Sequence, residues 1–247
     1  MKLNFFSLHA LLIGMLLFSP VNESSYSAED KYQLERRQMV TIQIDSRHVS
    51  DGRVGVKNES VLEAMLQVPR HRFVPQKLWS RAYMDSPLPI GYDQTISQPY
   101  IVAYMTEQLK PEKDYKALEI GTGSGYQAAV LSKLVSHVYT IEIIEELGQR
   151  TKKLLTDMKY QNISVKIGDG YLGWEENAPY DIIIVTAAPD HIPPPLVKQL
   201  KPEGVMCIPV GGRFQVQNLT LVRKDKDGLV RTKRIMPVRF VPLTRKD

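Results

Sequence analysis

The stretch that decides the fold is Leu118-Glu119-Ile120-Gly121-Thr122-Gly123-Ser124-Gly125, in which an apolar run leads directly into a glycine-rich turn. Residues 117–120 are predicted to form a short strand, and residues 126–134 the helix that follows the turn. Glycines let a backbone approach a ligand closely, and open α/β sheets bind ligands beyond the carboxyl ends of their strands. The stretch therefore predicts a ligand site at the carboxyl edge of a parallel sheet.

On the C-terminal side of this stretch, strands alternate with helices. Further strands are predicted at residues 137–141, 163–167, 181–185 and 205–210, with helices at 147–158 and 196–200. Two last strands, at 215–223 and 232–241, flank an Asp-Gly turn and predict an antiparallel hairpin. The alternation predicts an α/β fold with a doubly wound, mostly parallel, Rossmann-like sheet of seven strands that ends in this hairpin.

The N-terminal side has a different pattern. Residues 32–68 follow a helical periodicity, with Asn58 or Ser60 as the cap that opens the last helix. Residues 70–99 are rich in proline and predict a long irregular segment, which in a compact domain is usually functional. A second amphipathic helix is predicted at 100–109. The sheet is therefore expected to follow an N-terminal helical extension.

The composition is that of an ordinary globular protein, since 43% of the 247 residues are apolar and 24% are charged. The net charge is +5, but no run of Lys and Arg is interleaved with aromatic residues, so no nucleic-acid-binding face is indicated. The single cysteine, Cys207, lies in an apolar run and predicts a buried structural thiol. The histidines show no metal-ligand spacing, and His71 and His191 are predicted to be surface or structural residues. No metal is expected.

The first residues have the order of a secretory signal peptide. Lys2 precedes an apolar run at residues 8–18, and small residues follow up to Ala28, where cleavage is predicted. The apolar run is too short for a stable membrane span. An alternative is a mis-assigned start, because Met39 opens what resembles the domain proper. We therefore expect a leader at residues 1–30 and one domain at residues 31–247.

Acidic side chains stand at the carboxyl ends of three successive predicted strands. Glu119 precedes the glycine turn, Glu142 closes the second strand, and Asp169 follows the third beside Gly170. A dinucleotide site prefers the spacing G-x-G-x-x-G, but here the sixth position is Tyr126. Glu119 would also repel a pyrophosphate, whereas it suits the ammonium and sulfonium of S-adenosylmethionine. This donor is the favoured ligand; the alternative is a tight turn with exposed acids.

Six segments, in order, resemble the protein-L-isoaspartate O-methyltransferase family. The most specific is Gln94-Thr95-Ile96-Ser97-Gln98-Pro99; the others are residues 68–75, 82–91, 118–125, 180–189 and 240–244. Two residues depart from the family pattern. Asp93 and Glu203 both stand where the family has glycine. The first is close to the predicted active loop, and the second is predicted to lie in a surface turn.

The resemblance implies a class I methyltransferase fold and the roles of individual residues. Ser97 matches the family's active-site serine, although a helix N-cap is the alternative role for this residue. Glu119 is expected to face the methionine end of S-adenosylmethionine, Glu142 its ribose and Asp169 with Gly170 its adenine. The remaining residues expected at the cofactor are Thr95, Ile96, Gly121, Gly123, Gly125, Ile143 and Thr244.

The substrate implied by the resemblance is the free carboxylate of L-isoaspartyl residues in damaged proteins. Adenine methyltransferases place Asn or Asp, then Pro-Pro and an aromatic residue, after the fourth strand; residues 186–189 are Thr-Ala-Ala-Pro here, so base methylation is disfavoured. Methylation of another carboxylate and an exported binding module without catalysis remain alternatives. A monomer is expected. Cofactor supply places it in the cytoplasm, whereas the leader would direct it to the periplasm or outside the cell.

Overall fold

A mixed sheet organises the chain, of which the computed structural model describes residues 28–47, 53–212 and 215–245. Two short strands form a separate hairpin: β1 (Leu88–Gly91) and β2 (Gln94–Ile96). The main sheet contains β3 (Lys116–Ile120), β4 (His137–Glu142), β5 (Ile163–Ile167), β6 (Tyr180–Val185), β7 (Leu200–Val210), β8 (Gln217–Lys224) and β9 (Val230–Val238). Its order is β5-β4-β3-β6-β7-β8-β9, with β3 to β7 parallel and the last two strands antiparallel. The predicted seven-stranded, mostly parallel sheet is confirmed.

The helices lie before and between these strands. They are α1 (Ala28–Gln38), α2 (Glu59–Gln67), α3 (Pro99–Leu109), α4 (Tyr126–Leu131), α5 (Glu145–Asp157) and α6 (Pro194–Gln199). Helices α2 to α5 contribute to an apolar cluster on one face of the sheet, while α6 contributes to a smaller cluster on the other. Both faces are therefore covered, as a parallel sheet requires.

Strand β6 shows why the sheet must be covered on both sides. Ile182 and Ile184 belong to the larger apolar cluster, and Ile183 and Val185 to the smaller one. Side chains alternate across a strand, so a continuous apolar run is buried only if both faces are packed. The predicted central strand is confirmed, and Cys207 on neighbouring β7 is buried as expected.

The continuous helical pattern predicted for residues 32–68 was wrong. Helix α1 gives way to a π-helical turn, Met39–Ile44, and Asp45 then pairs with Val56 in an isolated bridge. A side chain at Gly55 would place its Cβ 2.3 Å from the Cα of Ser46, so the two segments meet only because residue 55 is glycine. Asn58 caps α2 by accepting a 3.2 Å hydrogen bond from the Val61 amide; Ser60 is already inside the helix.

The irregular segment predicted for residues 70–99 is also more ordered than expected. It contains two 3-10 helices, Arg70–Phe73 and Gln76–Arg81, and the β1–β2 hairpin. The strands were missed because β1 is short and contains a proline, which argues against a strand in sequence. Tyr92 and Asp93 form its turn with φ of 55° each, a geometry usually given to Asn-Gly. His71 lies in the first 3-10 helix and is buried, with its Nδ1 2.8 Å from the Tyr83 hydroxyl oxygen.

Almost all of the predicted leader lies outside the described residues, which begin at Ala28 with α1. The cleavage site and the alternative start therefore stay predictions. Within the described ranges, no helix combines the length and the apolar character needed to cross a membrane. Other boundaries moved by a few residues, the largest change being β7, which begins at Leu200 and not at residue 205.

Candidate active site

A cavity opens at the carboxyl ends of β3, β4 and β6, where the sequence predicts a ligand site. Of the twelve predicted site residues, the following ten line it: Thr95, Ile96, Ser97, Glu119, Gly121, Gly123, Glu142, Ile143, Gly170 and Thr244. Gly125 and Asp169 are not among its lining residues. The fold thus brings together residues that lie far apart in the chain.

The carboxylate of Glu142 is held by backbone groups at the end of β4. One oxygen accepts a 2.8 Å hydrogen bond from the Gly123 amide, and the other accepts a 3.0 Å bond from the Ile144 amide. Only 5% of the residue is exposed. Each carboxylate oxygen has lone pairs beyond those used by the two amides, so Glu142 can accept hydrogen bonds from vicinal hydroxyls of a ligand in the cavity.

Glu119 differs sharply from Glu142, although the two residues end neighbouring strands. It is fully buried, and neither carboxylate oxygen has a hydrogen-bond partner among the described residues. Burial is the largest effect and raises the pKa of Glu119 to about 8; the Thr140 hydroxyl opposes this rise, and the nearby Glu142 carboxylate adds to it less strongly. A buried, unpartnered carboxyl group that lines a cavity suits a ligand with a positive charge.

The glycine turn is shaped by close packing against β6. Gly121 and Gly123 have φ of +94° and +52°, which disfavours any residue with a Cβ. A Cβ on Gly121 would lie 2.6 Å from the hydroxyl oxygen of Thr186, and that hydroxyl donates to the Gly121 carbonyl at 2.7 Å. Thr186 lines the cavity, although the sequence did not indicate it as a site residue, because this position was notable only for lacking an amide or acid.

Gly125 and Asp169 contact the structure that surrounds the cavity. Gly125 precedes α4 with φ of +87°, and a Cβ there would lie 2.8 Å from the Thr151 side chain on α5. Asp169 accepts from the Tyr171 amide at 2.9 Å and from the Arg245 guanidinium at 2.8 Å. The carboxylate predicted to meet adenine is thus engaged by the C-terminal end of the chain, and Gly170 alone of this pair lines the cavity.

Ser97 lies between β2 and α3 on the wall of the cavity. The N-cap of α3 is Gln98, and no side chain at that position makes the capping hydrogen bond. Within the described ranges, the Ser97 hydroxyl forms no hydrogen bond, whereas Gln98 and Tyr100 beside it both donate to Asp85. The alternative of Ser97 as a helix cap is therefore wrong for this structure. Its hydroxyl is available to a ligand.

A groove borders the cavity on the far side of Ser97 and has a volume of about 580 Å³. One wall is the end of β9 with the residues after it, from Met236 to Val241, and the other includes Arg53 and Tyr100. The cavity and the groove share the lining residues Thr95, Ser97, Thr186 and Val241. Ser97 therefore stands at the boundary of two compartments, where a group from one can meet a group from the other.

The C-terminal segment reaches the cavity by pairing with the chain that follows β6. Ala188 donates to the Val241 carbonyl at 2.8 Å and accepts from the Leu243 amide at 2.9 Å, which forms a bridge to Pro242. This pairing carries Thr244 to the cavity rim. Its position was predicted from resemblance; the pairing itself had no signal in the local sequence.

The fold and the site together define a class I, S-adenosylmethionine-dependent methyltransferase. Three features lie at the carboxyl edge of the Rossmann-like sheet. They are a glycine turn that lacks the dinucleotide spacing, the unpartnered carboxyl group of Glu119, and Glu142 at the end of β4. Within this class, the chain belongs to the protein-L-isoaspartate(D-aspartate) O-methyltransferase family, whose model matches residues 38–247.

Close relatives support the same family. The chain is 52% identical over 238 residues to protein-L-isoaspartate O-methyltransferase 2 of Syntrophobacter fumaroxidans, covering 95% of this chain and 96% of the relative. It is 59% identical over 187 residues to protein-L-isoaspartate O-methyltransferase 2 of Polaromonas sp., covering 76% and 89%.

Solved structures agree with the fold. A protein-L-isoaspartate O-methyltransferase structure matches with a TM-score of 0.72 and 27% identity, over 85% of this chain and 65% of that chain. A Plasmodium falciparum structure, named as a putative protein-L-isoaspartate O-methyltransferase in complex with S-adenosyl-L-homocysteine, matches with a TM-score of 0.68 and 24% identity, over 77% and 93%. At that identity the second match supports the architecture alone.

Proposed function

We propose that this enzyme methylates the free carboxylate of L-isoaspartyl residues in damaged proteins, with S-adenosylmethionine as the methyl donor. The family match over residues 38–247 supports the reaction. The structural observation that carries the proposal is the unpartnered hydroxyl of Ser97, which lines both the cofactor cavity and the groove. A methyl donor in one compartment and a carboxylate in the other would meet beside this residue.

The cavity residues fit a cationic, phosphate-free donor. Glu119 supplies a buried carboxyl group for the positively charged methionine end, and Glu142 supplies oxygens for the ribose hydroxyls. Gly170 and Ile143 line the remaining length toward the adenine. When bound, S-adenosylmethionine supplies an electrophilic methyl group on its sulfonium.

Methyl transfer to a carboxylate requires the protein mainly to position the two reactants. A carboxyl group has an ordinary pKa near 4, so the substrate oxygen is already an anion at neutral pH and needs no general base. Its lone pair forms the new oxygen–carbon bond as the sulfur–carbon bond breaks and its electrons stay on sulfur. The products are a methyl ester and S-adenosylhomocysteine. Holding the three atoms in line is the main contribution of the enzyme.

Ser97 is the residue proposed to orient the substrate. Its hydroxyl can donate to one carboxylate oxygen and so direct the other toward the methyl group. Thr95 and Thr186 line the same boundary and shape the space around that carboxylate. The resulting ester beside a backbone amide is prone to close into a succinimide, whose spontaneous hydrolysis regenerates some normal aspartate; that later step needs no enzyme.

The decisive test uses labelled S-adenosylmethionine and two peptides that differ only in one aspartyl linkage. Transfer to the isoaspartyl peptide, with no transfer to the normal peptide, supports the proposal. Equal labelling of both peptides would instead indicate a methyltransferase for carboxylates in general. Absence of labelling, with S-adenosylhomocysteine still bound in calorimetry, would indicate another substrate.

We also propose that the enzyme is a monomer and that it works in the cytoplasm. The proposed location follows from the cofactor, because S-adenosylmethionine is made in the cytoplasm. Cell fractionation combined with an intact-mass measurement tests the location. A mature chain that has lost the residues up to about Ala28 would mean that the leader directs export. Light scattering tests the oligomeric state.

A further inference from the structure

The carboxylate of Asp85 joins three parts of the chain around Ser97. One oxygen accepts from the Arg53 guanidinium at 2.6 Å and from the Gln98 side-chain amide at 2.8 Å, and the other accepts from the Tyr100 backbone amide at 2.8 Å. The side chain is only 12% exposed. Gln98 and Tyr100 follow Ser97 closely along the chain, so Asp85 holds the segment that carries the active-site hydroxyl.

Asp85 also performs the task that the sequence suggests for Ser97. Helix α3 starts at Pro99, which has no amide hydrogen, so Tyr100 carries the first amide of the helix that needs an acceptor. Asp85 provides that acceptor from outside the helix, and its negative charge is favourable at the helix N-terminus. The Ser97 hydroxyl is therefore not needed as a cap and stays available.

Arg53 makes this arrangement compatible with an anionic substrate. It lines the groove and pairs with Asp85, which is not itself among the lining residues. Its guanidinium also lies over the Tyr100 ring at 4.3 Å, which keeps it against the segment. A bare carboxylate beside the groove would repel the carboxylate of a substrate, and the ion pair removes most of that repulsion.

We propose that Asp85 is a positioning residue for the methyl-transfer reaction. Asp85 caps α3 and holds Gln98, so that the Ser97 hydroxyl points to the boundary between the cavity and the groove. The inference rests on the proposed function insofar as Ser97 orients the substrate. It differs from a purely structural role in one respect: loss of Asp85 should slow turnover only while the Ser97 hydroxyl is present.

The test is a double-mutant cycle with Asp85→Ala, Ser97→Ala and the double variant, assayed with the isoaspartyl peptide. Asp45→Ala is the matched control, because Asp45 is also a buried carboxylate and pairs with Arg47, two residues along the chain. We expect Asp85→Ala to lower kcat roughly 10- to 100-fold, and the double variant to be no slower than Ser97→Ala. S-adenosylhomocysteine affinity should change by less than about twofold.

Two results would overturn the proposal: wild-type turnover in Asp85→Ala, or losses that multiply in the double variant. If Asp85→Ala does not fold, Asp85→Asn replaces it, since the amide oxygen still accepts from Tyr100 while the side-chain NH2 can no longer accept from Gln98 or Arg53. Asp85→Asn should lower kcat when Ser97 is present but not when it is combined with Ser97→Ala. An equal loss of kcat in both cases would count against the proposal.

Crystal structures of the wild type and of the folding Asp85 variant, each with S-adenosylhomocysteine, separate this inference from the proposed function. Displacement of the Ser97 hydroxyl in the variant supports the positioning role, and an unmoved hydroxyl refutes it. This readout stands even if the wild type labels neither peptide, a result that would reject the isoaspartyl substrate alone.

Discussion

The two compartments that meet at Ser97 are built in different ways. Half of the residues that line the cofactor side come from one β-α-β unit, from Glu119 to Ile144, whose loops meet at the carboxyl edge of the sheet. The substrate side combines Arg53, the segment around Ser97 and the end of β9, which are distant in sequence. Local chain geometry therefore builds half of the cofactor side, whereas the substrate side depends throughout on contacts between distant parts of the chain.

This difference predicts separate effects of substitution. Changes on the cofactor side should lower affinity for S-adenosylhomocysteine, because those residues contact the bound molecule in the proposed function. Changes at Ser97 and its supports should lower turnover while affinity stays constant. Substitutions on each side therefore test whether cofactor affinity and turnover depend on separate sets of residues.

Ser97→Ala should have the largest effect, on turnover. Loss of a hydrogen bond to an ionised group costs about 1.5–3 kcal/mol, which corresponds to a roughly 10- to 100-fold lower kcat. Steady-state kinetics and calorimetry with S-adenosylhomocysteine measure the two quantities. Ser136→Ala is the control, because its hydroxyl bonds the Tyr115 carbonyl away from the cavity. A loss of cofactor affinity equal to the loss of turnover would contradict the prediction that Ser97 acts on turnover alone.

Glu142→Ala should weaken cofactor binding by at least about tenfold, because two backbone amides and the ribose lose a charged acceptor. The Gly123 and Ile144 amides are those that the carboxylate now holds. Calorimetry with S-adenosylhomocysteine measures the change, and Glu146→Ala, on the exposed face of α5, is the control. An unaltered dissociation constant would show that Glu142 only supports the loop.

Cofactor affinity should depend on pH through Glu119. Its pKa of about 8 in the free enzyme means that the group is mostly protonated at neutral pH, whereas a cationic ligand prefers the carboxylate. Binding therefore releases a proton, and affinity should fall by up to about tenfold per pH unit as pH drops below 8. Calorimetry in buffers of different ionisation enthalpy measures the proton. Glu119→Gln should abolish it; release that persists would exclude Glu119.

The same group predicts a pH dependence of stability in the free enzyme. The folded-state pKa is raised above the unfolded value, so the folded state binds the proton more tightly, and this contribution is fully present below the unfolded pKa. It is lost as pH rises from about 4 to about 8. Thermal unfolding without ligand should show this decline in the wild type and a smaller one in Glu119→Gln. Identical profiles would contradict the prediction.

The smallest effects are expected at the two departures from the family pattern. Asp93 and Glu203 both have left-handed backbones, with φ of 55° and 63°. Replacing either by glycine should raise the free energy of unfolding by about 0.5–1 kcal/mol, because glycine adopts this conformation without a Cβ penalty. Urea denaturation measures the gain. Lower stability in both variants would mean that the aspartate and glutamate side chains compensate for the strain.

These two variants also compare a turn near the cavity with one far from it. The β1–β2 hairpin is fastened by Arg150, which donates to the Ile90 carbonyl at 2.7 Å and lies 5.9 Å from the Tyr92 ring. A Cβ on Gly123 would lie 3.5 Å from the Ile90 side chain, so the hairpin covers the glycine turn. Asp93→Gly should therefore alter cofactor affinity, if either variant does.

Prediction from sequence succeeded where the signal was local and periodic. Strand β6 was recognised from its continuous apolar run and the final hairpin from its Asp-Gly turn, because short-range chemistry determines both. It failed for β1, in which a proline weakens the strand pattern, and for the break after Gln38, beyond which Asp45 pairs with Val56 and Ser46 meets Gly55.

By itself the sequence determined the order of strands and α-helices from residue 117 onward, the glycine turn and the acidic residues at the strand ends, because spacing along a regular backbone settles which groups share an edge. Only the tertiary structure decided which partner each of those groups has. Asp85 reaches the start of α3, Arg245 engages Asp169, and Glu119 has no hydrogen-bond partner among the described residues. Charge state and hydrogen bonding depend on distances across the folded chain, which the spacing of residues does not specify.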